Sequence, residues 1–224
     1  MLPLMTLATQ ELQTGDQPVA SIVVLHGLGA DGNDFVPIAQ ELNLSAIGSV
    51  RFVFPTAPVR PVTINGGYPM RAWYDIAGPG QPEDEAGLRA SSLEIQTLLN
   101  REAARGVAPA RTVLMGFSQG CAMALMTGLR APTRLAGVVG LSGYLPLADR
   151  MGAERSAANV DVPIFLGHGR QDSMVPLARG AGSRDTLRGL GWHPEWFEYA
   201  MAHSVCAEEI ADLNRWLLKV LAAP

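Results

Sequence analysis

Lysine is almost missing from this sequence: the single one, Lys219, lies near the end of the chain, inside a pattern that reads as a terminal helix. Schiff-base chemistry and a phosphate-gripping loop lysine therefore lack a candidate. Basic residues are also late and scattered. The first is Arg51, so the N-terminal stretch shows neither the positive flank of a signal peptide nor the arginine-rich face of a transit peptide, and a cytoplasmic protein is expected. With a net charge of −4 and no Arg/Lys cluster, nucleic acid is not an expected partner. No apolar run approaches the ~18 residues of a membrane span. The two cysteines, Cys121 and Cys206, form no CxxC pair, so free thiols are expected and not a disulfide framework. His168 and Asp172 could form a fragment of a metal site, but with no HExxH and no paired cysteines no metal is expected, and no cofactor is required. Charged residues are few at 17%, against 48% apolar, a balance that excludes disorder and suits a buried sheet.

What is present is a regular alternation. Short runs rich in β-branched residues, at 20–25, 51–54, 112–115, 135–141, 162–166 and 195–199, read as strands. Stretches of helical spacing at 83–105, 119–129, 177–190 and 205–221 separate most of them. Such alternation predicts an α/β fold, a mostly parallel sheet with helices on both faces. At 224 residues the chain is expected to form one domain over 1–224. One segment, 56–82, breaks the rhythm with five prolines and several glycines. It is too long for an ordinary connection and reads either as a binding-site wall or as a surface excursion over a sheet edge.

The strongest motif is Gly116-Phe117-Ser118-Gln119-Gly120, a GxSxG directly between a predicted strand and a predicted helix. In that context the serine sits on a strained, tight turn, and the flanking glycines remove side chains that would clash with strand and helix. The helix N-terminus behind it offers unpaired N–H groups to a developing oxyanion.

Ser118 needs a base, and the order serine, acid, histidine requires that base to follow in the chain. His26 is thereby excluded as the base. Parallel strands end on one common edge, so a partner must also follow a strand. His193 precedes the strand 195–199 and belongs to the opposite edge, whereas His203 follows it. Asp172 follows the strand 162–166, in the turn Gly167-His168-Gly169-Arg170-Gln171-Asp172, while Asp161 precedes that strand. The predicted triad is Ser118, Asp172 and His203, with Asp172 fixing the tautomer of His203. His168 comes before the acid and reads as a supporting or core histidine.

The run His26-Gly27-Leu28-Gly29-Ala30-Asp31-Gly32 follows the first of these strands and contains GxGxxG. A dinucleotide site would require an acidic residue at the end of the next strand, and Phe52-Val53-Phe54-Pro55 supplies none. The same glycines suit an oxyanion loop, in which the backbone N–H groups of Leu28 and Gln119 would face the substrate carbonyl.

Taken together, HGLGADGNDF, FPTAP, RAWYDI, GFSQGCAMAL, LSGYLP, GRQDSMVP and MAHSV, which begin at His26, Phe54, Arg71, Gly116, Leu141, Gly169 and Met201, resemble the small carboxylesterase and acyl-protein thioesterase (phospholipase/carboxylesterase) family of α/β hydrolases. The resemblance runs nearly the whole length. It implies the α/β-hydrolase fold, the same triad and the same oxyanion donors. It further implies that the loop 56–82 forms one wall of an acyl pocket, with Trp73, Leu28 and Val175 facing the substrate; as an aromatic in a glycine- and proline-rich loop, Trp73 reads alternatively as a plug of that loop onto the sheet. Cys121 stands where many relatives carry glycine, which would narrow the space behind the nucleophile. The expected activity is serine carboxylesterase action on short- to medium-chain esters through an acyl-enzyme. The alternatives are an acyl-protein thioesterase or lysophospholipase using the same triad and, from another class, an inactive hydrolase-fold binding module. The expected partner is a small ester or thioester, and the chain is expected to be a monomer or homodimer.

Overall fold

Side chains that alternate between two apolar layers build the central sheet. In a computed structural model of the chain, which describes residues 7–78 and 80–222, its strands are β1 (Thr9–Gln13), β2 (Ala20–Leu25), β3 (Val50–Pro55), β6 (Thr112–Phe117), β7 (Gly137–Leu141), β8 (Ile164–Gly169) and β9 (Glu195–Tyr199), in the order β1-β3-β2-β6-β7-β8-β9. Strand β1 pairs antiparallel with β3, and the other pairings are parallel. All six residues of β2 are buried, as in a strand covered on both faces.

The helices divide between those faces. Val23, Leu25, Leu114 and Val138 pack with Leu88 and Ile95 of α2 (Glu85–Ala104), with α3 (Gln119–Gly128), with Met151 of the short α4 (Met151–Glu154) and with Leu187 of α5 (Leu177–Gly189). Ile22, Val24, Val113 and Phe165 pack on the other side with Ala39 of α1 (Val36–Glu41) and with Leu213, Trp216 and Leu217 of α6 (Ala207–Val220). Every residue of α3 is buried, as expected for a helix that is apolar all round and enclosed by the sheet and α2. No helix of the described residues is long and apolar enough to cross a membrane.

Three features depart from expectation. The edge strand β1, TQELQ, has too little apolar content to announce itself. The long segment 56–82 contains a two-stranded hairpin, β4 (Val59–Val62) against β5 (Tyr68–Arg71), with Pro61 opposite Pro69. Strand β8 continues through Gly167, His168 and Gly169, which the sequence assigned to a turn, because β9 pairs with all three.

Candidate active site

The turn between β6 and α3 holds Ser118 at φ 55°, ψ −116°, a backbone state that persists only where its surroundings enforce it. The Ser118 N–H donates to Leu141 O at 2.9 Å. A Cβ on Gly116 would run into the backbone of Gly120, and one on Gly120 into the carbonyl of Leu25. The two glycines of the motif are thus steric requirements of the turn, and Ser118 itself remains partly exposed.

Asp172 lies beyond the end of β8 with its carboxylate fully buried, and its Oδ2 accepts from His203 Nδ1 at 2.7 Å. Its Oδ1 accepts the N–H groups of Met174 at 2.9 Å and Val175 at 2.8 Å. The loops carrying the two residues are stitched together, since Arg170 N–H donates to Tyr199 O and Gln171 N–H to Met201 O. A Cβ at Gly169 would collide with the carbonyls of Met201 and Ala202, so the glycine permits that approach. Because a carboxylate only accepts, His203 carries its hydrogen on Nδ1, which leaves Nε2 as an acceptor. The His203 ring packs on Phe117, the neighbour of Ser118, with centroids 4.8 Å apart. Among the described residues no hydrogen bond joins Ser118 Oγ to His203.

The loop after β2 reaches the same place. A Cβ on Gly27 would lie 3.3 Å from the Phe117 ring and 3.4 Å from Ser118 Cβ, which sets Gly27 against Ser118. Neither Leu28 N–H nor Gln119 N–H donates to a protein acceptor among the described residues. The Gln119 side chain has a task that the sequence did not announce: its Oε1 accepts from Trp73 N–H and its Nε2 donates to Tyr74 O, each at 2.8 Å. Only a side chain that both donates and accepts can hold that segment of the long loop onto the elbow.

Of the three residues expected to face substrate, Leu28 alone is partly exposed. Trp73 is fully buried. Its Nε1 donates to His26 O at 2.9 Å and its ring packs against His26, so it plugs the loop onto the sheet and forms no open wall. Val175 is buried in the core beneath the site, its N–H held by Asp172. Cys121 fills the space under Gly143, and burial pushes its thiol up to about 12, which leaves it protonated and without nucleophilic character. Both cysteines are free.

The remaining histidines occupy distinct settings. His193 is exposed. His168 is buried, donates Nε2–H to Val175 O at 2.9 Å and stands 3.6 Å from Asp172 Oδ2, behind the carboxylate. His26 is buried too, and burial pushes it below the ordinary histidine range.

A mostly parallel sheet with an antiparallel edge, helices on both faces and a strained serine between a central strand and the following helix define an α/β hydrolase. The phospholipase/carboxylesterase family model matches residues 7–221, and the chain belongs to that family of serine hydrolases. It is 38% identical over 208 residues to acyl-protein thioesterase 1 of Yarrowia lipolytica, covering 88% of this chain and 90% of that one. With acyl-protein thioesterase 1 of Mycosarcoma maydis the identity is 37% over 228 residues, covering 94% and 95%. The crystal structure of Zea mays acyl-protein thioesterase 2 superposes with a TM-score of 0.84 at 30% identity, covering 96% and 99%.

Proposed function

We propose that this hydrolase cleaves acyl thioesters, those of acylated proteins foremost, and oxygen esters of short to medium acyl chains by the same route. The observation that carries the chemistry is the Asp172–His203 pair at 2.7 Å, which leaves Nε2 free to act as base, with the ring packed on Phe117 next to Ser118. The likeness to acyl-protein thioesterases over about nine-tenths of both chains favours thioester over ester as the main substrate. One sheet taking strands from Thr9 to Tyr199 supports reading the chain as a single hydrolase domain. The two unpaired thiols accord with a reducing, cytoplasmic setting.

In the first step His203 Nε2 takes the Ser118 hydroxyl proton while Oγ attacks the acyl carbonyl. The oxyanion forms against Leu28 N–H and Gln119 N–H, neither of which donates to a protein acceptor among the described residues. His203 returns the proton to the departing thiol or alcohol, and Asp172 stabilises the imidazolium throughout without taking the proton. Water then repeats the sequence on the acyl-Ser118 and releases the acid.

Fluorophosphonate labelling, with the modified residue located by peptide mass analysis, is expected to mark Ser118 alone and to fail in Ser118→Ala. A folded protein that does not label would favour a binding module that has lost its chemistry. The ratio of kcat/KM on an S-acylated peptide to that on a short-chain ester is expected to exceed unity. A ratio well below it would return the chain to carboxylesterase action.

A further inference from the structure

The mechanism so far leaves His26 without a part, although it is buried at the end of β2 beside the proposed oxyanion loop. Its two ring nitrogens have different partners. Nδ1 lies 2.7 Å from Gly27 O, which can only accept, and Nε2 lies 3.0 Å from Ala57 N, which can only donate. One neutral tautomer, protonated on Nδ1, satisfies both. An imidazolium would set a second N–H against that of Ala57, and the burial that lowers His26 acts in the same direction.

The Gly27 carbonyl and the Leu28 N–H belong to one planar trans peptide and point to opposite sides of it. We propose that His26 is a positioning residue for acyl transfer: its Nδ1–H grips the Gly27 carbonyl and so fixes the plane of the Gly27–Leu28 peptide, keeping the Leu28 N–H aimed at the oxyanion. The same bond polarises the peptide and makes that N–H a stronger donor. The grip is itself anchored, because Trp73 Nε1 donates to His26 O and Gly29 N–H donates to Arg71 O, each at 2.9 Å. The Ala57 bond fixes the tautomer that leaves Nδ1–H free to donate.

This rests on the oxyanion role read above for Leu28, and a pair of variants separates the two. The side-chain amide of His26→Asn reaches the position of Nδ1 and keeps a donor for Gly27 O; that of His26→Gln reaches the position of Nε2 and keeps only an acceptor for Ala57. Both are to be assayed with p-nitrophenyl octanoate, with a trifluoromethyl ketone whose adduct with Ser118 carries an oxyanion, and by thermal unfolding. The expected result is a fall in kcat of about 10²-fold for His26→Gln, with KM nearly unchanged and ketone affinity lowered to match; His26→Asn stays within about tenfold of wild type. Equal losses in both variants, or losses that follow Tm while ketone affinity is kept, would overturn the proposal. If His26→Gln does not fold, His26→Asn decides alone, since a loss beyond about tenfold contradicts a retained donor. Wild-type protein that forms no ketone adduct would overturn the oxyanion reading, and this proposal with it.

Discussion

Asp172 and Glu209 are both removed from water, and they have been treated in opposite ways. Each oxygen of Asp172 meets donors: two backbone N–H groups on one, the His203 imidazole on the other. Glu209, in the first turn of α6, has no hydrogen-bond partner on either oxygen among the described residues, and its carboxyl presses on Gly167 of β8. Burial, with Asp212 adding to it, pushes Glu209 up to about 8, so near neutral pH it is mostly an uncharged acid filling space. Burial is therefore common to both carboxyls; what sets Asp172, the proposed orienter, apart is the donors around it.

The contrast is sharpest under a change of one atom. Asp172→Asn preserves size but can donate where the proposed triad needs an acceptor, and kcat/KM is expected to fall by about 10³- to 10⁴-fold with little change in Tm. A loss under tenfold would remove Asp172 from the role of orienter. The same change at Glu209 acts on stability. Because its folded-state value is raised from 4.5 to about 8, its contribution is fully present below the unfolded value and is lost as pH rises through about 8. Denaturant unfolding should then show wild type losing about 4 kcal/mol more than Glu209→Gln between about pH 5 and pH 9. Parallel pH profiles for the two proteins would mean that Glu209 has an unseen partner and that the contrast fails. The smallest effect is expected at His168, which stands behind Asp172 and bonds a backbone carbonyl. His168→Ala should cost less than about tenfold in kcat/KM and about 1–3 kcal/mol of stability for the orphaned Val175 carbonyl and lost packing. Loss of activity equal to that of His203→Ala would exchange the roles of the two histidines.

That Asp172 and His203 would meet, on the sheet edge from which Ser118 emerges, was legible because it follows from chain order and from which end of a parallel strand each residue follows, both one-dimensional properties. The strands β2, β3 and β6 were legible from apolar runs. What could not be read depends on partners distant in sequence. Gly167-His168-Gly169 has little intrinsic preference for a strand and becomes one through β9. Trp73, in a loop rich in glycine and proline, reads equally as pocket wall or as plug, and its partners His26 O and the Gln119 side chain, distant in sequence, decide for the plug. Two of the five prolines that made 56–82 look irregular, Pro61 and Pro69, face each other across the hairpin, where their missing N–H groups are tolerated in an isolated pair of strands.

The closeness around Ser118 also governs how the gene can drift. At Gly116, Gly120, Gly143 and Gly169 a single added carbon would overlap backbone or side-chain atoms in the elbow or in the loops beside it, so every amino-acid replacement at those codons, even the mildest, meets a wall. Exposed helix positions such as Leu93 have no such wall and can absorb most substitutions. Change is therefore least tolerated at a few codons that carry no reactive atom, and the turn of Ser118 depends on the empty space around it.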